Sequence, residues 1–147
     1  MCYYIHMTTI SLSPRHQRFF GIAKRNADKS TYVRKGRGKI GIGCAIVNGN
    51  YVVSEGVNKR KTHSVQQHYN NISEYFAPVP NIHAEIDALI KSRSHDLTGT
   101  EVFVYRELVG GTLGNCRPCQ ACMRALKDAG VKHIYYTTEQ GFNYERI

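Results

Sequence analysis

Hydrophobic and polar positions in the first half of the chain predict one helix and then a pair of strands. Residues 14–27 are predicted to be helical, because apolar residues recur at helical spacing after Ser13, a typical N-cap residue. Residues 39–47 and 51–57 are predicted to be strands, since an Asn-Gly-Asn turn of the hairpin type separates them. The polar segment 58–80 is predicted to be a long loop, which in a compact domain is usually functional or disordered.

Helical and strand patterns alternate in the second half of the chain. Apolar residues at helical spacing follow Asn81, and Gly130 is typical of the position just past a helix. A second helix is therefore predicted to open at residues 80–81, and a third to run from Pro118 to Gly130. The remaining predicted elements are strands over 100–106, 131–138 and 142–147, with a loop or small hairpin over 107–117.

This order of elements, α-β-β-α-β-α-β-β, predicts an α/β fold. Helices packed on both faces of a mixed five-stranded sheet give a three-layer α/β/α sandwich. The third and fourth strands are predicted to be parallel, because a helix connects them, and the last two strands to form an antiparallel hairpin. Residues 1–147 are expected to form one domain, with residues 1–13 a candidate for a loosely ordered N-terminal extension.

The chain is strongly basic, with a net charge of +9 over 147 residues. Such a charge favours polyanions or anionic small molecules such as nucleotides, although a generally basic surface without a dedicated partner is an equal alternative. Segment 28–38, predicted to be a loop, holds much of this charge. The basic residues concentrate in two clusters: Lys24, Arg25, Lys29, Arg34, Lys35, Arg37 and Lys39, and then Lys59, Arg60 and Lys61.

No apolar stretch is long enough for a membrane span, and the N-terminus lacks the pattern of a signal peptide. A cytoplasmic protein with no membrane partner is therefore expected. Three of the five cysteines, Cys116, Cys119 and Cys122, lie close together. In a reducing compartment such a cluster favours metal binding over disulfides.

Two short motifs carry the candidate chemistry: His83-Ala84-Glu85 at the start of the second helix, and Pro118-Cys119-Gln120-Ala121-Cys122 at the start of the third. A Cys-x-x-Cys turn at a helix N-terminus points both sulfurs the same way, and the helix dipole there favours thiolates. With His83 as a third ligand, this set suits tetrahedral Zn²⁺. Three protein ligands leave one position for water, as in catalytic zinc sites.

Glu85 is predicted to act on protons rather than on the metal. It lies two residues after His83, so on a helix the two side chains point in different directions. Zinc lowers the pKa of a bound water to about 7, which creates hydroxide at neutral pH. Glu85 would take the proton of that water and pass protons to a ring nitrogen and a departing amine, as a general acid–base.

Together the motifs match the H-x-E…P-C-x-x-C signature of zinc-dependent base deaminases. From residue 39 to the C-terminus, the chain resembles the cytidine and deoxycytidylate deaminase superfamily. The resemblance implies a cytidine deaminase-like fold and hydrolytic deamination by zinc-bound hydroxide. The site residues that it implies are the ligands His83, Cys119 and Cys122, the proton shuttle Glu85, and the substrate contacts Asn58 and the backbone N–H of Ala84.

Several alternatives stay open for other residues. Cys116 could complete a closed, structural zinc site, although the superfamily pattern favours a packed or loop thiol. His63 and His68 in the long segment are expected to be solvated, the alternative being a substrate contact or second metal site. Arg106 or Arg117 is a candidate for holding a phosphate. The aromatic residues that could stack on a base, or instead pack the loop down, are Tyr69, Tyr75 and Phe76.

The substrate predicted first is dCMP, converted to dUMP, within the wider class of cytosine nucleotides and nucleosides. The HAE triplet resembles deoxycytidylate deaminases, whereas the C-terminal hairpin resembles free-nucleoside cytidine deaminases. A deaminase acting on cytosine or adenine in single-stranded DNA or RNA is the alternative, since the basic charge and aromatic residues suit a strand. A zinc-stabilised nucleic-acid-binding module is the non-enzymatic alternative. The resemblance also implies a homo-oligomer.

Overall fold

The computed structural model describes residues 8–75, 80–94 and 96–147; predictions for residues 1–7 and for Phe76 lie outside the described residues. Within these ranges the chain forms four helices and eight strands. The helices are α1 (Pro14–Asp28), α2 (Ser64–Ile72), α3 (Ala84–Ser92) and α4 (Gln120–Asp128). The strands are β1 (Thr8–Thr9), β2 (Val33–Arg34), β3 (Gly38–Lys39), β4 (Ile42–Asn48), β5 (Tyr51–Val57), β6 (Glu101–Arg106), β7 (His133–Thr138) and β8 (Gly141–Arg146).

The central sheet has the strand order β1-β8-β7-β6-β4-β5. Strands β6 and β7 are parallel, with Glu101 opposite His133, and the other pairs are antiparallel. The predicted mixed five-stranded sheet and antiparallel C-terminal hairpin are therefore confirmed. The sheet gains one short edge strand, β1, whose two residues are too few to show a period in the sequence.

Helices cover both faces of the sheet, as the alternation of side chains along β4 shows. Ala45 and Val47 pack with Phe103 against α1, whereas Cys44 and Ile46 lie on the opposite face with α3 and α4. Successive residues of a strand point to opposite faces, so one buried strand serves both cores. The three-layer α/β/α sandwich is confirmed.

Gly56 allows helix α3 to lie directly on strand β5. A Cβ atom at Gly56 would come 2.2 Å from the carbonyl oxygen of Ala84, the first residue of that helix. Contacts this short are not tolerated, so a side chain at this position would displace the start of α3. The absence of a side chain at Gly56 therefore allows α3 to begin in the position that it has, which in turn places His83 and Glu85.

The segment 58–80 is not simply the predicted loop, because helix α2 occupies its middle. His63 caps this helix: its Nδ1 accepts a hydrogen bond of 3.1 Å from the N–H of Val65. The face of α2 that packs against the rest of the protein is partly polar, and its buried residue is Gln66. Val65, Tyr69 and Ile72 do recur at helical spacing, but the other residues of α2 are polar, which is why the segment was predicted to be a loop.

Segment 28–38, also predicted to be a loop, contains most of a short β-ribbon. Strands β2 and β3 pair only with each other, Val33 opposite Lys39. Helices α3 and α4 begin at Ala84 and Gln120, a few residues later than predicted, which leaves His83 and Cys119 as N-caps. No helix within the described ranges is long and apolar enough to cross a membrane.

Candidate active site

The N-termini of α3 and α4 bring three metal-binding side chains together. His83 is the N-cap of α3, Cys119 is the N-cap of α4, and Cys122 lies in the first turn of α4. The Nδ1 atom of His83 is 3.5 Å from Sγ of Cys119 and 3.4 Å from Sγ of Cys122. All three ligand atoms lie within 4.8 Å of one another.

This donor set fits zinc. Zinc bonds of about 2.0 Å to nitrogen and 2.3 Å to sulfur place the two atoms about 3.5 Å apart in a tetrahedron. The nitrogen–sulfur separations of 3.5 and 3.4 Å agree with that edge. Neither N-cap side chain is used to cap its own helix, so both remain available as ligands.

The two sulfurs have opposite pKa shifts. A hydrogen bond with Cys122, and then the neighbouring His83, lower the pKa of Cys119 to about 4. The hydrogen bond with Cys119 and burial raise the pKa of Cys122. The lowered pKa of Cys119 favours its thiolate, which is the form of cysteine that binds metals.

Cys116 is a packed thiol separate from this group. Its Sγ lies 3.1 Å from Oγ1 of Thr137, and burial raises the pKa of Cys116 to about 12. Within the described residues, the candidate metal group comprises His83, Cys119 and Cys122 and does not include Cys116. This arrangement supports an open three-ligand site over a closed four-ligand one.

Glu85 lies beside the three ligands without being one of them. Its side chain is buried, and its Oε2 lies 3.6 Å from Sγ of Cys122. Burial raises the pKa of Glu85. A carboxyl group with a raised pKa exchanges protons near neutral pH more readily, as general acid–base work requires.

A cavity of about 300 Å³ opens onto this group. The predicted site residues that line it are Asn58, His83, Ala84, Glu85 and Cys119. Cys122 is fully buried behind them. The structure therefore brings all six predicted site residues to one place.

Asn58 is largely engaged by its own chain. Its Oδ1 accepts hydrogen bonds from Oγ of Ser30 (2.8 Å) and the N–H of Ile42 (3.0 Å), and its Nδ2 donates to the carbonyl of Ile40 (2.7 Å). One amide hydrogen is left for a ligand. Asn58 therefore holds the two ends of the segment that carries β2 and β3, in addition to lining the cavity.

Four arginines also line the cavity: Arg34, Arg37, Arg106 and Arg117. Arg117 is committed to the protein, since its Nε and Nη2 donate to Glu145 at 2.7 and 3.0 Å. Among the described residues, Arg34, Arg37 and Arg106 have no carboxylate within 4.0 Å. Sequence reasoning missed Arg34 and Arg37 as site residues, although their charge cluster was visible.

Of the histidines and tyrosines of segment 58–80, one lines the cavity and the other three do not. Tyr75 lines the cavity, with its ring 5.8 Å from that of His83 and nearly perpendicular to it. Tyr69 instead donates a hydrogen bond to Asp128, and His68 is exposed. His63 is the cap of α2. Neither His63 nor His68 belongs to a metal group among the described residues.

A family comparison identifies the chain. Residues 13–138 match the sequence profile of the cytidine and deoxycytidylate deaminase zinc-binding region. The chain belongs to this family. It is therefore a zinc-dependent, hydrolytic enzyme of the deaminase type. No curated protein sequence matches it.

Solved structures of deaminases share the fold of this family member. Cytidine deaminase from Burkholderia pseudomallei is 19% identical, over 89% of this chain and 91% of that one, with a TM-score of 0.60. Apo dCMP deaminase from the cyanophage S-TIM5 is 23% identical over 86% of each chain, with a TM-score of 0.55. The complex of that phage enzyme with dCMP and dUMP is 18% identical over 87% and 85%, also with a TM-score of 0.55.

Proposed function

We propose that this deaminase removes the exocyclic amino group of a cytosine nucleotide, with dCMP as its first candidate substrate and dUMP as the product. The observation that carries the proposal is one cavity with two kinds of wall. Glu85 and the ligands His83 and Cys119 line it, and so do three arginines without carboxylate partners among the described residues, Arg34, Arg37 and Arg106.

His83, Cys119 and Cys122 would hold the zinc ion. Bound zinc would act as a Lewis acid and lower the pKa of a water molecule, so that the water is nucleophilic at neutral pH. Glu85, buried beside the ligands, would accept a proton from the attacking water. It would then deliver protons to the ring nitrogen and to the leaving amine, so that water and a cytosine ring yield a uracil ring and ammonia.

Backbone and amide groups would orient the base. Ala84 is the first residue of α3, and the N–H groups of a first helical turn have no partner inside the helix. Its N–H is therefore available to donate a hydrogen bond to an oxygen of the base in the cavity. The free amide hydrogen of Asn58 is available in the same way.

The arginines favour a nucleotide over a nucleoside. Arg34 and Arg37 are exposed on the β2–β3 ribbon, and Arg106 lies at the end of β6. Guanidinium groups bind phosphate through paired, charge-assisted hydrogen bonds. A phosphorylated ligand is also what the phage dCMP deaminase holds in its complex.

The deciding experiment is a deamination panel with the zinc-loaded protein. Ammonia release would be followed on dCMP, CMP, deoxycytidine, cytidine and cytosine- or adenine-containing oligonucleotides. We expect activity on a cytosine monophosphate, lost by about 100-fold or more in Glu85→Gln while zinc remains bound. Full activity in Glu85→Gln would overturn the proton-shuttle role. Zinc binding by the parent without ammonia release from any of these substrates would instead favour the zinc-stabilised nucleic-acid-binding module.

The arginines have their own test, with a neighbouring lysine as the control. Arg34→Gln and Arg37→Gln should each raise KM for dCMP by about tenfold, because a hydrogen bond to a charged group contributes about 1.5–3 kcal/mol. Steady-state kinetics should show kcat, and KM for deoxycytidine, nearly unchanged. Lys35→Gln, exposed on the same ribbon but away from the cavity, should behave like the parent. An equal loss with deoxycytidine would argue against phosphate binding.

A single-stranded substrate is the second candidate, because a further depression adjoins the cavity. It shares Tyr75 and Asn81 with the cavity and is lined largely by amides, among them Gln67, Asn70 and Asn71. Amides hydrogen-bond to base edges, and a tyrosine can stack on a base. Activity restricted to oligonucleotides and falling steeply with salt would favour this candidate over dCMP.

A further inference from the structure

Helix α2 reaches the metal ligands through one buried side chain, that of Gln66. Only 2% of Gln66 is exposed. Its Oε1 accepts a hydrogen bond of 2.9 Å from the backbone N–H of His83. Its Nε2 donates a hydrogen bond of 2.8 Å to Oδ1 of Asn70, one turn further along α2. The amide is thus fixed at both ends.

The bond to His83 replaces a cap that α3 cannot make for itself. The N-cap N–H of a helix is often bound by the side chain three residues on, as His16 does for Ser13 at the start of α1. The corresponding residue of α3 is Ile86, which has no acceptor. A distant helix therefore supplies the acceptor, and it does so at a metal ligand.

The rest of α2 is braced against both ligand-bearing helices. Val65 and Tyr69 pack on a buried cluster that contains Ile86 of α3 and Cys122 of α4. The hydroxyl of Tyr69 donates to Asp128 at the end of α4. Gln66 therefore belongs to a body that is fixed relative to the two cysteines as well as to the histidine.

We propose that Gln66 is a positioning residue for the metal centre, and that it holds the backbone of His83 so that Nδ1 faces Cys119 and Cys122. The proposal rests on the ligand role of His83 and is independent of which base is deaminated. Groups that orient a metal ligand typically change metal affinity by about 10- to 100-fold when they are removed. Gln66 acts in this way through a backbone N–H rather than through the imidazole.

The test compares zinc affinities measured by competition with a chromogenic chelator. Gln66→Met keeps the length of the side chain but removes the acceptor, and it should weaken zinc binding by about tenfold or more. Gln66→Glu keeps the acceptor for the N–H of His83 but loses the donor to Asn70, so it should weaken zinc binding less than Gln66→Met does. Gln67→Met changes the neighbouring exposed amide of the same helix and should have no effect. Parent-like affinity in a folded Gln66→Met variant would overturn the proposal.

A milder variant covers the case in which Gln66→Met does not fold. Asn70→Ala removes the partner that holds Nε2, so the amide of Gln66 can rotate away from His83. We expect a smaller loss of zinc affinity in the same direction, and an unchanged affinity would count against the proposal. These measurements need no turnover. A protein that binds zinc tightly but releases no ammonia would refute the proposed function alone.

Discussion

At the scale of single residues, the sequence motif leaves open which cysteines hold the metal. Cys116, Cys119 and Cys122 are evenly spaced, but the structure gives them different neighbours. Cys119 and Cys122 face His83, whereas Cys116 faces Thr137. A hydroxyl partner suits a thiol that is packed and protonated, and it leaves no reason for Cys116 to bind zinc.

Two serine variants should separate these roles. Cys122→Ser should lose zinc by more than the factor of about 10 to 100 that follows removal of a merely orienting residue. Cys116→Ser should keep its zinc, because a serine hydroxyl can still bond to Thr137. Metal content of the purified, dialysed proteins would be measured by atomic absorption. Equal loss of zinc in both variants would point to a closed site with four protein ligands.

At the scale of elements, the C-terminal strand is tied to the segment that leads into the cysteines. Glu145 of β8 is 5% exposed and binds Arg117 through two hydrogen bonds, and it also accepts one from Tyr136 of β7. Arg117 lies two residues before Cys119. The sequence suggested Arg117 as a phosphate ligand, but its guanidinium is occupied by this contact.

This contact predicts a specific acid sensitivity. Burial alone would raise the pKa of Glu145, but hydrogen bonds from Arg117 and Tyr136 lower it. The folded pKa therefore lies below the unfolded value of about 4.3, and the stabilisation is complete above that value. It is lost as the pH falls through the folded pKa.

Glu145→Gln should destabilise the protein by about 2–3 kcal/mol near neutral pH. This is below the 3–5 kcal/mol typical of a fully buried pair, because the side chain of Arg117 is 32% exposed and can be solvated. Thermal unfolding of parent and variant as a function of pH would show the difference shrinking below about pH 4. A difference that stays constant down to low pH would show that the charge of Glu145 is not its source.

At the scale of the whole molecule, the sequence predicted the layers, the ligand set and part of the cavity lining, namely Asn58, Ala84 and Glu85. The main strands are six or seven residues long, which is enough for their apolar residues to form a pattern in the sequence. The ligands lie in two recognisable motifs at the starts of helices. Helix α2 was missed because most of its residues, including the buried Gln66, are polar. Strands β2 and β3 were missed because two residues are too few to show a period. Gln66 lies on α2, Arg34 on β2, and Arg37 in the turn between β2 and β3. The homo-oligomer implied by resemblance stays a prediction.

The β2–β3 ribbon pairs with no other strand. It therefore keeps two arginines proposed to select the substrate apart from the residues proposed to carry out the reaction. Glu85 and the metal ligand Cys122 are buried in the sandwich, where a substitution also changes the packing of the core. Two of the three arginines without carboxylate partners, Arg34 and Arg37, lie on the ribbon, whose base is held by the amide of Asn58. Substitutions on the ribbon can therefore accumulate without endangering the chemistry. With the phosphate-binding role proposed for Arg34 and Arg37, substrate selectivity can be redesigned on the ribbon while the residues that carry the chemistry stay unchanged.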